Sequence, residues 1–374
     1  MNFDYTEELL ALQDTLRRFF ARDYGFEHRR AVAKSDDGYD PAAWATFAEF
    51  GLLALPFPED DGGLGGNGVD LMLVMEMLGR GLALEPYLAT VVLCGGLLRD
   101  AGSTAQKEAL IAAIAGGGLK LALAHYEPGN RYALDRVATL ATPDGAGWTL
   151  SGAKAVVLGA PSADKFIVSA RDGEGLSLFL VDAGSPGLSL RSYTTQDGAR
   201  AADVRLDAVK VAADARLGAA GTALPLIERA IDRANAALCA EAVGIMGALN
   251  EVTLDYLKTR KQFGMPIGKF QALQHRMADM VIATEQARSM ATLAAVRSDS
   301  DDAAERSRAV AAAKAYVLQS ARFVGQQAVQ LHGGMGVTDE LNVGHYFKRL
   351  TMIGLTFGDV DYHLGRFSDT LLAA

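Results

Sequence analysis

The feature that most restricts how this chain can fold is a double switch in the period of its apolar residues. From Thr6 to about Gly118 they recur at helical spacing, as in Leu9, Leu10, Leu12, Leu16, Phe19 and Phe20, and Asp/Gly/Pro-rich breaks separate the segments. From about Leu119 to Gly221 the texture turns to short β-type runs: Trp148-Thr149-Leu150, Lys165-Phe166-Ile167-Val168 and Leu176-Ser177-Leu178-Phe179-Leu180-Val181. Asp144-Gly145, Asp172-Gly173, Ser185-Pro186-Gly187 and Asp197-Gly198 supply the turns between them. From Leu224 long helical patterns return, over about Pro225 to Thr259, Gly268 to Ser298 and Asp302 to His332. Pro225 suits a helix start, and Gly264 with Pro266 punctuates the first connection. Three long antiparallel helices with a shorter fourth read as a bundle. The expectation is a mainly α fold with a central β domain: an N-terminal helical domain at 1–118, a β domain at 119–222 and a C-terminal helical bundle at 223–374.

Composition narrows the partners. The net charge of −9 over 374 residues argues against nucleic acid and anionic membranes, which favour basic surfaces, while leaving room for a local basic pocket that takes a phosphorylated ligand. Cys94 and Cys239 sit in apolar stretches and read as small core residues, with no disulfide framework or metal site implied. Met1-Asn2-Phe3-Asp4-Tyr5-Thr6-Glu7-Glu8 is acidic and unlike a secretory leader, and no uninterrupted apolar run approaches the roughly 20 residues of a membrane span. The expected location is cytoplasmic.

Two separated segments carry the chemistry. Arg260-Lys261-Gln262-Phe263-Gly264 is followed by Pro266-Ile267-Gly268 and Phe270-Gln271-Ala272-Leu273-Gln274, and further on stands Gln330-Leu331-His332-Gly333-Gly334-Met335-Gly336. A fixed guanidinium and unobstructed backbone N–H groups are what a diphosphate requires. Together the segments resemble the flavin-binding signature of the acyl-CoA dehydrogenase family, whose domain order is also helical, β-barrel-like, then a four-helix bundle. The resemblance implies that Arg260, Gln262, Phe263, Gln271, Gln330, Leu331, Gly333 and Gly334 meet the FAD of a neighbouring subunit. Gly51-Leu52-Leu53-Ala54-Leu55-Pro56-Phe57-Pro58-Glu59 with Gly62-Gly63-Leu64-Gly65, the Glu127-Pro128-Gly129 turn and Ser151-Gly152-Ala153-Lys154 look like further family marks. Gly63-Leu64-Gly65-Gly66-Asn67-Gly68 also fits a dinucleotide-binding spacing, with Glu85 placed for a ribose contact. It follows Pro58-Glu59-Asp60-Asp61 instead of an apolar strand, so it reads as a Gly-rich loop.

The family's reaction, α,β-desaturation of an acyl-CoA thioester, needs a carboxylate base for the α-proton and a flavin for the β-hydrogen. Aligning glycine with glycine puts Phe357 at the usual base position. The alternative position, on the first bundle helix upstream of Arg260, falls on Ala234 and Asn235. Asp359, Asp361 and Glu241 are fallback bases; equally, Asp359 and Asp361 could cap a helix beginning at Tyr362, and Glu241 could be a helix-face carboxylate with a polar partner. Where the family packs Thr, Trp and Thr on the flavin ring, this chain has Tyr126, Val156 and Leu158, and an unmatched buried polar group costs roughly 1 to 3 kcal/mol. His125 and Tyr126 read mainly as strand-end packing, and His332 as a turn residue.

The losses fall on the chain's own active site, whereas the residues reaching a neighbour's FAD are retained. The resemblance therefore points to the base-lacking small subunit of heterotetrameric (α2β2) acyl-CoA dehydrogenases that act on bulky substrates such as steroid side chains or pimeloyl-CoA. An acyl-CoA, a base-containing homologous subunit and an electron-transferring flavoprotein are the implied partners. A self-sufficient homo-oligomer with a relocated base and a non-catalytic structural subunit are the rival readings. Asn235 among Ala234, Ala236 and Ala237 hints at a roomy acyl side.

Overall fold

The structure, a computed structural model, describes residues 5–372; Met1 to Asp4, half of the acidic segment read above, lie outside the described residues. The chain opens with α1 (Glu7–Arg22), α2 (Phe26–Lys34), α3 (Pro41–Glu49) and α4 (Gly68–Gly81). A π-helical stretch, Leu88–Gly95, then leads to α5 (Gly96–Ala101) and α6 (Thr104–Ala115). The starts are chemically marked. Thr6 accepts from the Leu9 N–H, Asp40 precedes Pro41 at the head of α3, and Ser103 and Gln106 bond reciprocally as a capping box.

The strands are β1 (Leu121–Ala124), β2 (Leu140–Asp144), β3 (Gly147–Leu158), β4 (Lys165–Asp172), β5 (Gly175–Asp182), β6 (Leu188–Thr194), β7 (Arg200–Ala212) and β8 (Arg216–Leu217). The helices resume with α7 (Ala223–Thr259). A short hairpin of β9 (Lys261–Gln262) and β10 (Met265–Pro266) precedes α8 (Gln271–Arg297), α9 (Ala303–His332), α10 (Asn342–Ile353) and α11 (Val360–Leu372). The expected order of helices, sheet and long helices is present.

Two compact units form. One holds Ala31–Asn67 and Leu84–Ala234. Its sheet runs β6-β7-β3-β2-β4-β5-β8, with β1 added in parallel beside β4, and β6 and β8 are not paired with each other among the described residues. Leu150, Phe166, Val168, Phe179, Val204 and Val209 fill its core. The pairing of β3 with β7 slips between Lys154 and Val157, a bulge with Val156 at φ 53° and half its surface exposed.

The other unit holds the described residues up to Arg30, Gly68–Ala83 and those from Asn235 onward. Here α9 packs against α8, α10 and α11. Small residues, Ala236, Ala294 and Ala313, line part of the seam. Where α4 meets α7 the backbones nearly touch: a Cβ on Gly79 would stand 2.2 Å from the Glu241 carbonyl oxygen, and one on Gly244 1.9 Å from that of Glu76. Among the described residues one helix, α7, is long and apolar enough by composition to cross a membrane, but 67% of its most apolar window is buried inside the protein, as befits a core helix.

Candidate functional site

The signature segments lie on the helical unit and are open to solvent. The β9–β10 hairpin turns through Phe263 and Gly264 at φ 53° and 79°, the two positive values that a two-residue hairpin turn favours. Phe263 is thereby held out, 87% exposed, with its ring edge-on to Phe270 at 6.0 Å. Arg260, Gln262, Gln271 and Gln330 are exposed as well. α9 stops at Gly333, whose φ of 59° and ψ of −140° suit glycine alone. Gly334 is different: its φ is ordinary and an added Cβ would meet nothing within 4 Å. Nothing in the packing of the described residues explains a glycine there. The chemistry of these residues suits the ADP half of FAD, with the Arg260 guanidinium for a diphosphate and open backbone at Gly334.

Two of the expected residues are placed otherwise. Leu331 lies inside α9 with its side chain buried, because the helix runs one residue past it, so only its main chain can reach a cofactor. His332 is the last residue of α9 and not a turn residue. It is buried, Nδ1 lies 2.8 Å from the Ala328 carbonyl, and its ring stacks at 4.4 Å on Tyr256.

The base positions themselves hold no carboxylate. Phe357 is buried in the left-handed region at φ 58°, an unusual state for an aromatic residue, and Gly358 follows at φ 124°. Ala234 and Asn235 are fully buried on α7, and Asn235 Nδ2 lies 3.5 Å from the Phe357 carbonyl oxygen. Of the fallback bases, Glu241 receives two bonds from Arg349, at 2.5 and 2.8 Å. Asp359 accepts from the Tyr362 N–H at 3.0 Å and caps α11, which begins at Val360 instead of Tyr362. Asp361 consequently sits inside the first turn of α11 and is no cap; with Asp359 and Arg322 it lines a cleft of about 530 Å³.

Behind the Phe357 turn lies a charge that the sequence reading passed over. Lys314 is fully buried on α9, its Nζ has no hydrogen-bond partner among the described residues, and burial pulls its pKa down to about 8. Its spacing from Val310, Val317, Leu318 and Ala321 puts it on the buried helix face, a signal the sequence did contain.

In the sheet unit the family marks turn out to be one polar cluster. Lys154 donates to Glu127 Oε1 at 2.8 Å, to Ser169 Oγ at 3.0 Å and to the His125 carbonyl at 3.3 Å. Glu127 also accepts from Ala138 N, Thr139 N and Thr139 Oγ1. Burial pushes its carboxyl up, but these bonds and the Lys154 charge hold it down at about 2, so it is ionised. Burial, helped by Lys154, lowers His125 to about 3, so the ring is neutral. His125 Nδ1 lies 2.9 Å from Ser169 Oγ, the same oxygen that accepts from Lys154. The strand-end packing expected of His125 is thus a buried polar contact.

The places where the family meets the flavin ring offer less. Val156 stands on the bulge with its N–H bonded to Asp203, and Leu158 has no polar side-chain atom. The chain's own ring site does not fit a flavin as well as its outward face fits an ADP group. The Gly-rich loop is structural: a Cβ on Gly63 or Gly66 would strike the Phe57 or Leu55 carbonyl, and Glu85 accepts from the Asp40 and Leu84 N–H groups. Cys94 and Cys239 are buried free thiols.

Comparison with known proteins identifies the family. The family models for the acyl-CoA dehydrogenase N-terminal, middle and C-terminal domains match residues 6–118, 122–209 and 215–372. The probable acyl-CoA dehydrogenase YngJ of Bacillus subtilis is 30% identical over 92% of each chain, as is the acyl-CoA dehydrogenase FadE27 of Mycobacterium tuberculosis. Among solved structures, the ChsE4-ChsE5 complex of Mycobacterium tuberculosis superposes with a TM-score of 0.91 at 29% identity over 100% of both chains. A variant of the Tcur3481-Tcur3483 steroid ACAD gives 0.89 at 33% identity over 98% of both. On this sequence, fold and site, the chain belongs to the acyl-CoA dehydrogenase family, the FAD-dependent oxidoreductases that act on CH–CH bonds.

Proposed function

We propose that this chain is the base-lacking subunit of an α2β2 acyl-CoA dehydrogenase and completes the FAD site of a base-carrying homologous partner. The observation that carries the reading is the contrast between its two sets of site residues. Phe357 and Ala234 occupy the base positions and Glu241 is tied to Arg349, while Arg260, Phe263, Gln271 and Gln330 stand exposed around unobstructed glycines. When bound, FAD supplies the acceptor for the β-hydrogen of the acyl thioester. The roles left to this chain are to hold the diphosphate with Arg260, to let it approach the open backbone at Gly334, and to cover the ADP group with Phe263, while the Gly333 N–H stays bonded to the Gln330 carbonyl. The α-proton is taken by a glutamate of the partner.

The resemblance to the Tcur3481-Tcur3483 steroid ACAD favours a bulky acyl-CoA as substrate. An electron-transferring flavoprotein as acceptor, a cytoplasmic location and functional domains at 1–118, 119–222 and 223–374 belong to the same reading.

Expression tests it. The chain purified alone should be colourless, and yellow when co-expressed with a base-carrying homologue encoded beside it. A yellow, acyl-CoA-oxidising lone chain would sink the proposal. That second reading, a self-sufficient enzyme, has one residue in its favour: Asp361 is exposed in the α9–α10–α11 cleft and shows no bond to another side chain. Asp361→Asn would then abolish the lone chain's activity.

A further inference from the structure

Between Asp255 and Asp279 the chain has five cationic side chains, Lys258, Arg260, Lys261, Lys269 and Arg276, and no carboxylate, although the protein as a whole carries −9. All five are exposed, and none makes an ion pair among the described residues. Lys258, in the last turn of α7, has a local reason to be basic, since a cation there favours the helix dipole. Lys269 stands two residues before α8, whose first turn has no acidic residue and whose N-terminus lacks a side-chain cap; Arg276, in the second turn, reaches only the neutral Gln327 Oε1 at 3.4 Å, so neither cation is neutralised among the described residues. From the middle of this charge projects the hairpin with Phe263 at its tip and half-exposed Met265 beside it. An aromatic anchor ringed by cations is the composition of a surface that becomes buried in association.

We propose that the hairpin and the start of α8 form a basic prong that docks on a carboxylate-bearing face of the partner subunit, around the FAD it holds. This rests on the functional reading above and extends it. The diphosphate of FAD brings about two negative charges and Arg260 is placed for them. Lys261, Lys269 and Arg276 exceed that need, so their counter-charges are side chains of the partner. Attraction of this kind acts at the rim: it speeds encounter and fixes orientation more than it adds holding strength. Salt screens it, with a reach of about 10 Å at 0.1 M.

The native complex is dissociated, and the partner with its FAD is remixed with native chain or with the Lys261→Gln/Lys269→Gln/Arg276→Gln variant. The variant is expected to associate about tenfold more slowly at low salt and to lose most of the salt dependence, with FAD per complex unchanged. Association at the native rate with the native salt dependence would overturn the proposal. So would loss of FAD at an unchanged association rate, which would assign these cations to the diphosphate. Arg260→Ala serves as the separate control: it should lower FAD content. If the lone native chain proves yellow and active, the heteromer reading falls, and the same triple variant then reads on self-association, where an unchanged rate removes the prong as well.

Discussion

Lys154→Met is the substitution whose consequences follow most fully from the structure. The ammonium is completely buried against a Glu127 side chain that is 5% exposed, and all three of its N–H groups are used. Removing it leaves Glu127 charged and buried with its Ala138 and Thr139 donors but no counter-charge. Breaking such a pair from one side costs about 3–5 kcal/mol, and Ser169 also loses a donor, for about 1 kcal/mol more. Urea unfolding followed by the fluorescence of Trp148, on β3 of the same sheet, measures the loss. The pH profile identifies its source. In the native protein the Glu127 pKa is held below its unfolded value of 4.5, so the carboxylate's contribution fades as pH falls from there towards about 2; burial lowers the Lys154 ammonium to about 8, so the ion pair is whole only between about 4.5 and 8. In the variant, burial acts unopposed by Lys154 and the native-state pKa rises, so the deficit should be largest at pH 7 and narrow by pH 3. Glu127→Gln added to Lys154→Met should restore part of the stability. A deficit under about 1 kcal/mol at pH 7, or one that does not change with pH, would refute the argument.

Further outcomes are expected. Gly334→Val meets no atom of this chain and needs no special φ, so its stability should stay within about 0.5 kcal/mol of native in thermal unfolding, while FAD absorbance of the assembled complex falls. Lys314→Met should stabilise the chain at pH 7 by up to about 3 kcal/mol in urea, since the shift from 10.5 to about 8 reflects a disfavoured buried ammonium. The unfolded chain binds more protons between those values, so native stability should rise with pH through that window, and the slope should vanish in the variant. Glu241→Gln should destabilise by about 2–3 kcal/mol through the half-buried Arg349 while leaving turnover of the complex intact; loss of turnover in a folded variant would make Glu241 the base.

Much of this was legible because periodic burial and capping are local. The helical, β and helical textures, the start of α1 and the bundle helices follow from residues within a turn or two of one another. The Gly333 stop could also be read, since its φ and ψ admit only glycine; the β9–β10 hairpin could not, since Phe263 takes a positive φ that aromatic residues rarely adopt. Pairings across the chain were not legible. Nothing in the spacing joins Glu127 to Lys154, or Glu241 to Arg349, because side chains meet there through tertiary packing. The bulge that turns Val156 outward depends on the register of β3 with β7. Lys314 was concealed in an alanine-rich run, where its stem follows the apolar period and only its terminal nitrogen conflicts with the surroundings.

The tip of the β9–β10 hairpin also bears on how the protein is made. Phe263 cannot fold back, because the two positive φ angles of its turn hold it outward. On the heteromer proposal, a copy made in excess of its partner keeps this aromatic tip uncovered, an exposed apolar label for chaperones and proteases.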